Sequence, residues 1–100
     1  MTKSEELIAE IQEELAEAAA ALSVARDFQE KAIDAILEGN FIGGLSVLGT
    51  VTEEIEDAKS DEKKAAKLLV KLIPQMHADG FADEIIYGVV ETLIGEFLGA

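Results

Sequence analysis

The sequence predicts an all-α, up-and-down bundle of four helices, the first much longer than the others, in a single domain over residues 1–100. From Ile8 to Ile36, seam positions alternate at spacings of three and four, and all but one are apolar or small. This period is typical of a long helix that packs on other helices. No glycine or proline interrupts residues 4–38. Shorter amphipathic segments follow, separated by turn residues.

The first helix is expected to run from Ser4 to Gly39, a length of about 50 Å at ~1.5 Å per residue. Ser4 is the predicted N-cap, and Glu5 and Glu6 lie favourably in the positive first turn. Gly39 follows the helix, where a positive φ is cheap for glycine. A break that makes Ser23 the cap of a second helix is the alternative.

Two shorter helices are predicted next, with residues 59–61, Lys-Ser-Asp, as the turn between them. Helix 2 covers about 41–58, and helix 3 begins at Ser60 or Asp61 and ends at Asp79-Gly80. Pro74 kinks helix 3 or marks its last turns. Helix 2 carries glycines that each cost roughly 1 kcal/mol against alanine, and they indicate a frayed first turn or the close approach of another body: Gly43, Gly44 and Gly49.

The fourth helix is predicted over about 82–98. Its apolar arc covers more than half of the circumference, which is typical of a helix buried on more than one side. The arc consists of Ile85, Ile86, Tyr87, Val89, Val90, Leu93, Ile94, Phe97 and Leu98.

Composition excludes several classes of function. The net charge of −13 argues against binding to a phosphate backbone, so no nucleic-acid partner is expected. The chain has no cysteine, hence no disulfide and no thiolate metal site. No apolar run reaches the ~18 residues that span a bilayer, and Met1 precedes a helix start rather than a signal peptide. A soluble, cytoplasmic protein without a membrane partner is expected.

His77 is the only histidine, and it could be a haem ligand or a general base. The ordinary alternative is a boundary histidine near a helix C-terminus, where positive charge is stabilising. A di-iron site is excluded because Pro74 stands where a Glu-x-x-His pair needs its glutamate. Ser46 lies in a helix and not on a nucleophile elbow. No catalytic or metal-binding residue is assigned, and an enzyme is the less favoured class.

Small residues at the predicted bundle centre are the most suggestive group, since they permit either close helix approach or room for an apolar ligand. Gln29 lies in the seam, where it either fixes register or contacts a polar ligand atom. The sole tyrosine lies at the edge of its apolar arc. The candidate ligand-binding residues are Ala18, Ala21, Ala25, Phe28, Gln29, Gly44, Leu48, Met76, His77 and Tyr87.

In its choice of cap, turn and surface residues, the chain resembles de novo designed helical bundles. The features are the opening Ser-Glu-Glu-Leu, the glutamate-rich exposed positions, Ser-Asp-Glu-Lys-Lys at a helix start, and the Gly-Asn and Asp-Gly turns. The resemblance covers the whole chain but involves no motif of one family. It implies a protein made to bind small molecules, cofactors or copies of itself. Idealised helices avoid glycine, and the chain departs from them at Gly43, Gly44, Gly49, Gly88 and Gly95.

Three functions follow from these observations. The first is a scaffold whose small-residue interior binds an apolar or aromatic small molecule or a cofactor. The second is a homodimeric self-association module without a ligand, in which the long first helix crosses its symmetry mate near residues 18–25. A bent first helix that wraps its own bundle is the alternative to that dimer. The third is a haem-type or acid–base site at His77.

Overall fold

The computed structural model describes residues 2–99, with side chains as far as Glu96. The all-α class is confirmed, but the described chain has three helices and not four: α1 (Lys3–Leu37), α2 (Phe41–Ala78) and α3 (Asp83–Gly99). The side chains of Phe97 and Leu98, which the sequence placed in the last apolar arc, lie outside the described residues. Every described helix is too short or too polar to cross a membrane.

The predicted helices 2 and 3 are a single helix, α2, of 38 residues. The predicted turn at residues 59–61 contains neither glycine nor proline, and lysine, serine and aspartate each cost only a fraction of a kcal/mol inside a helix. The seven-residue spacing of buried positions also continues through it, from Ala58 to Ala65 and Leu72. A break would have lost this phase, so tertiary packing overrides a weak local turn signal.

The first helix is continuous through Ser23, as the main prediction required. Its N-cap is Thr2, whose side chain accepts a hydrogen bond from the Glu5 N–H, and not Ser4. Gly39 has a φ of +89°, and Asn40 then caps α2 by accepting from the Gly43 N–H at 3.0 Å. This tight connection turns α2 back along α1, so the two long helices form an antiparallel hairpin.

The hairpin closes along two columns of buried residues spaced by seven, as in a coiled coil. Most members of both columns are small, and small side chains allow two helix backbones to approach closely. The column of α1 contains Ser4, Ile11, Ala18, Ala25 and Ala32, and the column of α2 contains Gly44, Ala58, Ala65 and Leu72, with Val51 half-buried.

The third helix covers one end of the hairpin only. Its Ile86 and Leu93 join Leu15, Leu72 and Met76 in the buried core. The six residues after Leu93 extend α3 by only about 9 Å, whereas the molecule is 61 Å long. We call residues 2–20 and 60–99 the covered half, in which three helices pack together. Residues 21–59 are the open half, in which α1 and α2 pack on each other without a third helix.

Candidate helix-association surface

The predicted small-residue interior is filled by helix packing. Ala18 and Ala25 are 0% and 5% exposed in the seam between α1 and α2. Gly44 is buried in the same seam, where an added Cβ would lie 2.6 Å from Ile36 Cγ1 and 3.3 Å from the Ala32 carbonyl oxygen. These three residues therefore bring two backbones together and do not line a cavity. They are also unavailable for the predicted crossing with a symmetry mate at residues 18–25.

The remaining predicted site residues lie in separate places. Ala21 and Phe28 are half-buried on one flank of the seam, and the Lys31 Nζ lies 5.1 Å from the centre of the Phe28 ring. Gln29 and Leu48 lie on the other flank and are exposed. Met76 belongs to the core of the covered half. The ten predicted residues do not form one site.

His77 and Tyr87 line one shallow groove between α2 and α3, with a volume of about 400 Å³. The His77 Nδ1 lies 3.7 Å from Asp83 Oδ1, and both side chains are more than half exposed. An ion pair so open to water contributes little to stability. The polar groups of the groove are the His77 imidazole, the Tyr87 phenol and the Asp83 carboxylate, and the rest of its lining is apolar.

A second groove separates α1 from α3 in the covered half. Its volume is about 370 Å³, and Gly88 leaves part of its floor without a side chain. An added Cβ at Gly88 would meet nothing within 4 Å. The lining is mostly apolar and consists of Ile8, Gln12, Ile85, Gly88, Val89, Thr92 and Leu93.

The face of the hairpin that α3 covers continues into the open half. On α1, α3 lies beside Ile8 and Gln12, and on α2 it lies beside Ile73 and Met76. Because buried positions of the hairpin repeat every seven residues, steps of seven from these four stay on the same face. We call the continuation of this face in the open half the open groove. Its apolar residues, which these steps of seven identify, are Leu22, Ile33, Ile36, Phe41, Leu45, Leu48 and Ile55.

The open groove exposes large apolar side chains to water. Ile33 is 48% exposed, Phe41 64% and Leu45 67%. Apolar side chains grouped on one face commonly mark an interaction surface, whereas single ones do not. Helical spacing places Phe41, Leu45 and Leu48 on one face of α2, but their exposure depends on where α3 ends.

The open groove is also free of carboxylates, although the chain has 21 acidic and 8 basic residues. The polar side chains on the same seven-residue steps are Arg26, Gln29, Thr52 and Lys59. A partner that covers this face therefore does not need to desolvate an acid, which would cost several kcal/mol if left unpaired. The acidic residues of the open half lie on its other faces.

Two carboxylates in the covered half have shifted pKa values. Asp79 accepts hydrogen bonds from the Ser4 hydroxyl at 2.5 Å and from the Ser4 N–H at 3.1 Å. These bonds, with one from Gln75, hold the pKa of Asp79 below its usual range. Ser4 is fully buried, so the pair ties the start of α1 to the end of α2. Ser4, the predicted N-cap, therefore joins α1 to the end of α2 instead of capping α1.

Glu14 shows the opposite shift. Its pKa is raised, first by burial and then by the neighbouring charge of Glu17, while Lys64 opposes the shift and Asp61 adds to it. Its Oε2 is shielded from water and has no hydrogen-bond partner among the described residues. Oxygens of Glu14, Glu17 and Asp61 lie within 4.8 Å of one another, but three oxygens are fewer than the six to eight that Ca²⁺ takes.

Comparison of the chain with known protein families, with curated proteins and with solved structures found no match.

Proposed function

We propose that the protein is a self-association module that forms a homodimer through the open groove. The observation that carries the proposal is the continuation of one apolar face along the hairpin. In the covered half, α3 packs on this face, where Met76 is 1% and Ile73 38% exposed. In the open half, Ile33, Phe41 and Leu45 are 48%, 64% and 67% exposed. A second copy supplies a face of the same length and chemistry, and the two together complete a four-helix bundle.

The exposed area supports association. A compact monomer of 10.7 kDa is expected to expose about 5,500 Å², whereas this chain exposes 6604 Å². The excess of roughly 1,100 Å² exceeds the ~800 Å² that each partner buries in a standard protein interface. The chain as a whole therefore exposes enough additional surface for a standard dimer interface.

Charge leaves this face open to a second copy. With a net charge of −13, two copies repel each other over most of their surfaces. The open groove contains Arg26 and Lys59 as its only charged residues on the described face, so two grooves meet without acidic contacts.

The test is sedimentation velocity of the full chain at micromolar concentration, with Leu45→Glu as the disrupting variant. Leu45 is 67% exposed, so the monomer tolerates the change, but a dimer would bury the new carboxylate. Val70→Glu is the matched control, because Val70 is 73% exposed on a different face of α2. We expect dimers for the unmodified chain and the control, and monomers for Leu45→Glu. A monomeric unmodified chain at millimolar concentration would overturn the proposal.

A second candidate function is binding of an apolar small molecule in the groove between α1 and α3. Its support is the mostly apolar lining and the space of about 370 Å³ beside Gly88, which suits a small ligand. Nile red is a suitable fluorescent probe. Gly88→Leu should abolish its binding by filling the groove, whereas Gly49→Leu, on the exposed surface of α2, should not. Equal dye binding by both variants would contradict this candidate.

The third function, a haem or acid–base site at His77, stays a prediction, and so does the resemblance to designed bundles. A haem spectrum unchanged by His77→Ala would remove this histidine as a ligand.

A further inference from the structure

We infer that the two copies pack antiparallel, with Gln29 of each copy facing Gln29 of the other at the two-fold axis. The inference rests on the proposed dimer and specifies its geometry. Three observations support it. They are the place where α3 ends, the positions of α1 and α2 that lie opposite each other in the hairpin, and the presence of Gln29 in an otherwise apolar column of the groove.

The third helix excludes the parallel arrangement. It lies on the same face of the hairpin as the open groove, but in the covered half. In a parallel dimer both copies of α3 would lie between the two hairpins at the same end. Each helix is about 10 Å across, so the pair would hold the grooves apart. In the antiparallel dimer, each α3 lies beyond the partner's Gly39-Asn40 turn, and the two grooves meet directly.

The ends of the open half place the axis near Gln29. On α1, the open half extends from residue 21 to Leu37, and Gln29 lies at its middle. Gly44 lies opposite Ala32 and Ile36 in the seam. Because α2 runs antiparallel to α1, the α2 residues opposite Gln29 are near position 49. When two antiparallel grooves overlap fully, the middle of α1 in one copy therefore lies against the middle of α1 in the other copy.

Gln29 has the chemistry for this position. It stands seven residues from Leu22 and seven from Ile36, so it is the polar member of an otherwise apolar column. A carboxamide carries both donors and an acceptor and can therefore pair with an identical group across a two-fold axis. A single polar layer of this kind selects one register among several apolar ones. Gln29 therefore determines the register of the dimer.

Energy transfer between labelled copies tests the orientation. The chain has no cysteine, so a single introduced cysteine is the only labelling site. Donor- and acceptor-labelled copies are mixed for Glu38→Cys and, separately, for Lys71→Cys, both at exposed positions. In the antiparallel dimer the two labels at position 38 lie about 27 Å apart and those at position 71 about 65 Å apart along the axis.

We expect strong transfer at position 38 and little at position 71, and oxidised Gln29→Cys should give a covalent dimer. Strong transfer at both positions would mean a parallel dimer and would overturn the inference alone. Strong transfer at position 71 only would place the contact in the covered half and overturn both proposals. No transfer at either position, with a monomeric sedimentation coefficient, would overturn the proposed function itself.

Discussion

The covered and open halves use the same hairpin face in different ways. In the covered half, Met76 and Ile73 are 1% and 38% exposed beside α3. At the same heptad positions in the open half, Phe41 and Leu45 are 64% and 67% exposed. The sequence pattern that produces these side chains is the same heptad in both. An apolar stripe therefore adds to the core where a third helix covers it and stays exposed to water where none does.

Truncation of an apolar residue should separate the two halves most strongly. Met76→Ala should lower the free energy of unfolding by about 3 kcal/mol, since it leaves a cavity in a packed core. Phe41→Ala should lower it by less than about 1 kcal/mol, because most of that side chain is already in water. Both changes are made in the Leu45→Glu background, so that association does not contribute. Urea denaturation measures them, and similar losses would contradict the division into halves.

Two glycines on α2 should respond in opposite directions to the same change. Gly44→Ala places a Cβ 2.6 Å from Ile36 Cγ1, so the seam must shift, and we expect a loss of about 1 kcal/mol despite better helix propensity. At Gly49 an added Cβ meets nothing within 4 Å, and Gly49→Ala should gain about 0.5–1 kcal/mol. Thermal unfolding of both variants measures this, and stabilisation by Gly44→Ala would show that the seam is loose.

The two shifted carboxylates of the covered half should give small pH effects of opposite sign. The lowered pKa of Asp79 means that its contribution is present above the usual aspartate pKa and is lost as the pH falls through its folded value. The raised pKa of Glu14 means that its charged form opposes folding at neutral pH, and that this cost disappears as the carboxyl is protonated.

Asp79→Asn should therefore destabilise the protein at neutral pH, and Glu14→Gln should stabilise it. Both differences from the unmodified chain should vanish in acid, where all the carboxyls are protonated in both states. Urea unfolding at a series of pH values measures them. Destabilisation by Glu14→Gln at neutral pH would contradict the cost assigned to the charged form of Glu14.

The sequence predicted the helical class and the continuity of α1, because heptad spacing is a local property of a helix. It expected the last helix to be buried on more than one side, but Ile85, Tyr87 and Ile94 are 52%, 71% and 44% exposed. It also predicted the turns at Gly39 and Gly80, both of which adopt a positive φ. It failed at residues 59–61, where a serine and an aspartate suggested a cap. Cap residues are tolerated inside a helix when packing on both sides demands continuity.

Which apolar residues become core was decided only by the tertiary structure. Because α2 runs the full length of α1, the alanines of the seam meet a neighbour in the same chain and leave no space for a ligand. Because α3 has 17 residues and the hairpin is far longer, Ile86 and Leu93 bury one end while Ile33, Phe41 and Leu45 stay in water. Periodicity specifies the direction of a side chain, but its burial depends on the length and position of the element that packs against it.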